Sequence, residues 1–135
     1  EFFPYIDRRD SFDLGFIASR SGHSRGSTID LTIIEHGKNL QDVEYEDRIF
    51  SDGRKFIFLN DGTVDMGSHF DLFDEASYSD SNLVSLRAQE NRRFFIEIME
   101  KVGFENYSKE WWHFTLRDEP FSKDNNDSYF DFDIK

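Results

Sequence analysis

Apolar residues fall along the chain in short bursts, and the spacing inside each burst predicts a different element. From Leu83 to Val102 the positions Leu83, Leu86, Phe94, Phe95, Ile98, Met99 and Val102 recur mostly at intervals of three and four, the period of one helical face, and predict the main helix. Ser81 offers a capping oxygen before it, and Gly103 is placed to end it. The run IDLTIIE, from Ile29 to Glu35, is rich in β-branched residues and stops at His36-Gly37, which predicts a well-buried strand with Asp30 at its start and His36 in the turn. Phe56 to Leu59 predicts an apolar strand between the turn pair Asp52-Gly53 and Asn60-Asp61-Gly62, in a stretch suited to antiparallel hairpin pairing. Trp111, Trp112 and Phe114 predict a second aromatic strand, Gly15 to Ala18 a short one, and the terminal alternation SYFDFDIK another, after turn residues at Asp118-Glu119-Pro120 and from Lys123 to Ser128.

Between these bursts the pattern lapses. Residues 1–22 mix aromatic, charged and turn residues without a period and read as a wrapping segment. VDMGSHFDLFDEAS breaks at Gly67 into an acidic loop, and Tyr78 to Asn82 forms a second, rich in serine and aspartate; loops of this kind often carry function. No internal repeat or low-complexity segment is present.

Composition narrows the functional classes. The chain has 135 residues, the size of a single domain that can bury a core without a covalent staple, and 16 phenylalanines against 2 methionines make that core ring-rich. Lys+Arg 16 against Asp+Glu 28 leaves a net charge of −12, spread along the chain, which disfavours a nucleic-acid partner. Cysteine is absent, so disulfides and thiolate ligands are excluded and any metal must be held by nitrogen and oxygen. No apolar run approaches the roughly 20 residues that span a bilayer.

Two short segments concentrate metal-capable side chains: SGHSRGSTID, residues 21–30, and EWWHF, residues 110–114. A catalytic zinc site has three protein ligands and an open fourth position, a requirement that His23, Asp30 and His113 meet with one ion. Zinc lowers the pKa of bound water to about 7, and a nearby carboxylate then takes the proton and passes it to the leaving amine. Glu110 is the candidate base. In a regular strand positions 110 and 113 face opposite sides, so the two can address one metal only if Glu110 lies on a bend or at the strand entrance. Gly26 lets the loop between His23 and Asp30 turn tightly, and Ser21 or Ser24 is available to bind a substrate carboxylate or orient a ligand.

Other polar and aromatic residues have simpler readings. His36 is a turn residue and His69 structural or solvent-facing. Adjacent strand positions point to opposite faces, so at least one of Trp111 and Trp112 is core and the pair is not a sugar platform. Arg92 and Arg93 read as solvated residues on an exposed helical face.

SGHSRGSTIDLT matches the SxHxxGxAxD motif and EWWHF the ExWH motif of the zinc D,D-peptidases, the family that includes the D-alanyl-D-alanine dipeptidases of the VanX type. The segments DMGSHFDLFDE, AQENRRFFIEIMEKVGFENYSKEWWHF, LRDEP and SYFDFDIK resemble the dipeptidase branch in the same order, so the likeness covers nearly the whole chain. The resemblance implies an α+β fold with a central antiparallel sheet flanked by helices and the zinc site at one end of the sheet. It also implies hydrolysis of D-alanyl-D-alanine, zinc on His23, Asp30 and His113, and Glu110 as general base and acid. Asp71, in the sequence HFD, would sit near the substrate ammonium and Ser21 near the bound dipeptide. A D,D-carboxypeptidase or a non-catalytic zinc-containing module are the alternatives.

Two departures from the family pattern carry expectations. Thr28 replaces the usual alanine of the first motif, a small change that is tolerated if its hydroxyl is satisfied. The family's oxyanion-stabilising arginine lies well upstream of the first zinc histidine, where Arg8, Arg9 and Arg20 are too close to correspond. The expectation is therefore a domain whose amino-terminal portion was removed, exists as a separate chain that would be its partner, or was lost, with truncation or cleavage favoured. Loss of such a donor costs on the order of 100- to 1000-fold in rate.

Overall fold

The computed structural model describes residues 2–18, 20–120 and 130. It is an α+β arrangement of a three-stranded antiparallel sheet, a separate two-stranded hairpin and one α-helix. In the larger sheet β1 (Thr28–Asp30) pairs with β5 (His113–Leu116), which also pairs with β4 (Phe104–Asn106). The hairpin joins β2 (Glu44–Ile49) to β3 (Lys55–Asn60) across the predicted turn, where Gly53 takes φ 88°. Phe56 and Phe58 alternate inward on β3, giving the hairpin one buried face.

Helix α1 spans Leu86–Lys101 and starts later than the periodicity predicts. Ser85 is the cap, its Oγ accepting from Ala88 N at 3.2 Å, while Ser81 Oγ accepts from Leu83 N in the turn before. Gly103 at φ 91° ends the helix as expected. The buried face, however, is Ala88, Arg92, Phe95 and Met99. Leu86, Phe94, Ile98 and Val102 from the predicted face are exposed. Phe95 and Met99 of the predicted stripe are buried as expected, and the other half of the buried face was hidden by a small residue and a charged one.

Arg92 is the largest correction: it is fully buried, not solvated. Its guanidinium donates to the carbonyls of Met66 (2.8 Å), Tyr78 (2.6 Å) and Ala76 (2.8 Å) and to Ser68 Oγ (3.2 Å). Burial lowers its pKa to about 9, which leaves it charged at neutral pH. Arg93 remains exposed, as predicted.

The core has two parts. Phe50, Phe56, Phe58, Leu72, Ala76, Val84 and Ala88 fill the space under the hairpin. Met66, Phe95, Met99, Trp111, Trp112 and Phe114 fill the space between α1 and the larger sheet. Along α1, Arg92 stands between Ala88 of the first cluster and Phe95 of the second, so its hydrogen bonds pin the junction.

Several predicted strands are shorter or absent. The Ile29–Glu35 strand is confined to Thr28–Asp30, Ile29 is 39% exposed, and Leu31 N adds one more bond to Trp112 O at 3.0 Å. Beyond it the neighbouring chain turns at Trp111-Trp112 and offers no further ladder. Gly15 to Ala18 is a turn, with Gly15 at φ 81° and both Phe16 N and Ile17 N donating to Ser11 O. The Lys123–Ser128 turn and SYFDFDIK lie outside the described residues except for Phe130, whose N donates to Ser24 O at 2.6 Å.

Gly67 lets the chain pass against the start of α1. It has φ 83°, and a Cβ there would stand 2.5 Å from Val84 Cβ and 2.9 Å from Ala88 Cβ. Gly67→Ala combines left-handed backbone strain with overpacking and is expected to destabilise the fold by about 3 kcal/mol, read as a lower midpoint in urea unfolding. An unchanged midpoint would refute this close approach.

Candidate metal centre

The register of the larger sheet brings the two motifs together. Asp30 is the last residue of β1 and His113 the first of β5, and they are direct cross-strand partners. Thr28 and Thr115 are paired two residues along, on the same face, and their hydroxyls meet at 2.9 Å, which satisfies the hydroxyl that replaces the motif alanine. Ile29 pairs with Phe114 on the opposite face, where Phe114 is fully buried against Phe95.

His23 arrives on a short 3-10 turn, Gly22–Arg25. Ser21 caps it, its Oγ accepting from His23 N at 3.2 Å, and Gly26 at φ 78° closes it by donating to His23 O. The turn lies tight against β1: a Cβ at Gly22 would come within 2.8 Å of Thr28 Oγ1. His23 Nε2 thereby stands 3.3 Å from Asp30 Oδ2, and the His23 and His113 rings meet edge to face at 4.9 Å.

Glu110 reaches the same point because residues 107–113 form a bend at the entrance to β5. Glu110 N donates to Tyr107 O, His113 N to Glu110 O, and Tyr107 N to His113 O. Asn106 Nδ2 ties the bend from below through Glu110 O and His113 O, each at 3.0 Å. Trp111 and Trp112 are both core, and Trp111 Nε1 donates to Ser68 Oγ at 3.0 Å. With both indoles turned inward, Glu110 Oε2 lies 3.3 Å from His113 Nδ1, and the geometric condition for a shared site is met.

Asp71 completes an acidic cluster. It is the one non-glycine residue with positive φ among the described residues, at 58°, a conformation aspartate tolerates better than most. Burial, then repulsion from Asp30 and Glu110, pushes its pKa up to about 6, against an opposing pull from His23. At His113 burial disfavours the proton, but hydrogen bonds to Asp30 and Glu110 outweigh it and raise the pKa to about 9. The cluster thus demands positive charge. Ligand atoms of His23, Asp30 and His113 lie within 4.8 Å of one another, and two imidazoles with a carboxylate are a suitable donor set for zinc.

A cleft of about 450 Å³ opens over these residues, with Phe16, Ile17 and Phe73 on one wall and Ser21, Asp71 and Tyr107 on others. A larger groove of about 690 Å³ lies beside Ile33, Val64 and Phe94 and contains none of the candidate residues. Ser24 does not line the cleft, His36 is in the expected turn, and His69 is buried with Nδ1 2.7 Å from Phe70 O. Arg8 and Arg9 form an exposed turn away from the cleft. Among the described residues Arg25 is the arginine that lines it.

Sequence reasoning missed two contributors. Tyr107 donates its hydroxyl to Gly15 O at 2.8 Å, fixing the Phe16–Ala18 wall, and its ring lies 5.6 Å from that of His113. Arg25 forms an ion pair with Glu119, 94 positions away. No local signal announces contacts of such separation.

Residues 57–135, more than half of the chain and including Asp71, Glu110 and His113, match the family model described as D-ala-D-ala dipeptidase. The chain belongs to this peptidase family. Similar proteins named D-alanyl-D-alanine dipeptidase include one from Enterococcus faecium, 42% identical over 99% of this chain and 54% of its own length. Another, from Enterococcus faecalis, is 36% identical over 99% of this chain and 54% of its own. A third, from Streptomyces coelicolor, is 38% identical over 98% and 52%. The chain therefore spans about half the length of these dipeptidases, while the aligned stretch takes in His23 and Asp30 as well as the second motif.

Proposed function

We propose that this domain is the zinc-dependent catalytic part of a D-alanyl-D-alanine dipeptidase. The observation that carries the reading is the convergence of His23, Asp30 and His113 within 4.8 Å with the Glu110 carboxylate beside them. These three residues would hold one zinc ion, which supplies a water acidified to a pKa of about 7 and polarisation of the scissile carbonyl. Glu110 takes the water proton and returns it to the leaving amine, a relay that needs a carboxylate fixed within hydrogen-bond reach.

The rest of the cleft suits a small zwitterion. Asp71 presents a carboxylate for the substrate ammonium, and Ser21, whose hydroxyl already orients His23, borders the same space. Walls formed by Phe16, Ile17 and Phe73 supply apolar contact for small side chains.

The test is hydrolysis of D-Ala-D-Ala with zinc content measured in parallel. Stoichiometric zinc and turnover that chelation removes and zinc restores are the expected results. Turnover that persists in zinc-depleted protein would overturn the metal reading, and preference for a pentapeptide ending in D-Ala-D-Ala over the dipeptide would reassign the domain as a D,D-carboxypeptidase.

A second reading is a zinc-holding module that binds D-alanyl peptides without cleaving them. It is favoured by the engagement of Arg25 with Glu119, which occupies the one arginine lining the cleft among the described residues. Zinc-dependent peptide binding with no turnover would select it.

A further inference from the structure

His23 is the most weakly held of the three candidate ligands. Asp30 and His113 sit on paired strands, whereas His23 rides on the four-residue turn Gly22–Arg25, and its side chain is 39% exposed. Short turns of this kind open at little free-energy cost unless something ties them down. A metal site needs its ligands fixed before the ion arrives, since the cost of ordering a loose one is subtracted from affinity.

A side-chain tie of long range is at the other end of the turn. Arg25 is buried, and its Nε and Nη2 donate to the two oxygens of the Glu119 carboxylate at 2.6 and 2.9 Å. Ser27 Oγ donates to the same carboxylate at 2.9 Å, and Leu116 N donates to Ser27 O at 2.9 Å. One carboxylate just beyond β5 therefore grips the chain on both sides of Gly26, the residue that closes the His23 turn. A bidentate guanidinium–carboxylate pair is directional as well as strong, so it fixes the position and the orientation of the turn. Gly26 itself has open space around its would-be Cβ, so nothing packs over the closing residue, although Gly22 lies against Thr28 and Phe130 N donates to Ser24 O at 2.6 Å in the same turn.

We propose that Glu119 is a positioning residue for the metal centre, acting through Arg25 and Ser27 to hold His23 against Asp30 and His113. Glu119 is not among the described residues that line the cleft. This rests on the zinc reading above, and it places one determinant of metal affinity in the segment after β5, outside both recognised motifs.

The test compares wild type, Glu119→Gln and the double variant R25M/E119L by zinc competition with a chelator, the electronic spectrum of the cobalt-substituted protein, and amide exchange of Gly22–Gly26 without metal. Loss of an outer partner of a metal ligand typically weakens binding 10- to 100-fold, roughly the drop expected for Glu119→Gln, with an altered cobalt spectrum and faster exchange in the turn. The double variant removes both charges together, which buried pairs often tolerate without loss of stability. It is expected to keep the wild-type unfolding midpoint while its zinc affinity stays low, which separates positioning from general stability.

Zinc affinity and cobalt spectra within twofold of wild type in Glu119→Gln, or recovered in the double variant, would overturn the proposal. Wild-type protein that binds no zinc would instead defeat the metal reading, and exchange in the turn would still decide whether Glu119 holds it.

Discussion

Glu110→Gln is expected to reduce kcat for D-Ala-D-Ala by about 1000-fold, with KM nearly unchanged and zinc still bound stoichiometrically. Glutamine has the same shape and can keep the contact with His113, now 3.3 Å from Glu110 Oε2, but it cannot accept the water proton. The backbone at position 110 is fixed independently of its side chain, through Tyr107 O, Asn106 Nδ2 and the two buried indoles. The substitution therefore removes a proton acceptor without moving the bend. Removing an acid from a cluster that also contains Asp30 and Asp71 leaves enough negative charge to hold a dication. Steady-state kinetics alongside zinc analysis checks the split: a kcat within tenfold of wild type at full zinc occupancy would remove Glu110 from the role of base.

The α+β class and the grouping of His23, Asp30 and His113 were legible in the sequence, the extent of individual strands and the buried helix face less so, and the reason is range. His23 and Asp30 belong to one short segment and Glu110 and His113 to another, so their chemistry can be read locally. The direct pairing of Asp30 with His113 depends on strand register between distant segments, which composition and periodicity do not encode. The bend that brings Glu110 round was legible only as a condition. Burial of both Trp111 and Trp112 is what meets it, because neighbouring side chains can both turn inward only where the strand alternation is broken.

The helix shows the opposite failure. Phe95 and Met99 of the predicted stripe are buried, but Leu86, Phe94, Ile98 and Val102 remain exposed, and the other buried positions are Ala88 and Arg92. Periodicity locates a helix, but it chooses a face by counting apolar residues, and a buried arginine counts against the correct one. Likewise β1 is cut short at Asp30 because its partner turns away, although the sequence continues β-branched. Arg25 and Glu119 look like ordinary surface charges until the fold brings them together, with Arg25 buried and Glu119 partly covered.

Arg92→Met is expected to destabilise the domain by about 4 kcal/mol, a large share of the 5–15 kcal/mol typical of folded proteins. Methionine approximates the volume but donates nothing, so the carbonyls of Met66, Tyr78 and Ala76 each lose a partner at the junction of the two core clusters. Tyr78 O keeps Ser81 N as a donor, so two buried acceptors, Met66 O and Ala76 O, are left unsatisfied among the described residues, and at about 1–3 kcal/mol each they supply the value given. Arg92→Lys retains the charge but lacks the planar fork that serves four acceptors, so it should recover less than half of the loss. The effect should also reach the candidate metal centre: Arg92 Nη2 contacts Ser68 Oγ, which accepts from Trp111 Nε1, and Trp111 adjoins Glu110. Urea unfolding at constant slope measures the first effect, and zinc affinity at a temperature where the variant is still folded measures the second. An Arg92→Met variant within 1 kcal/mol of wild type would mean that the helix is held by its apolar contacts alone and that the buried guanidinium is incidental to the fold.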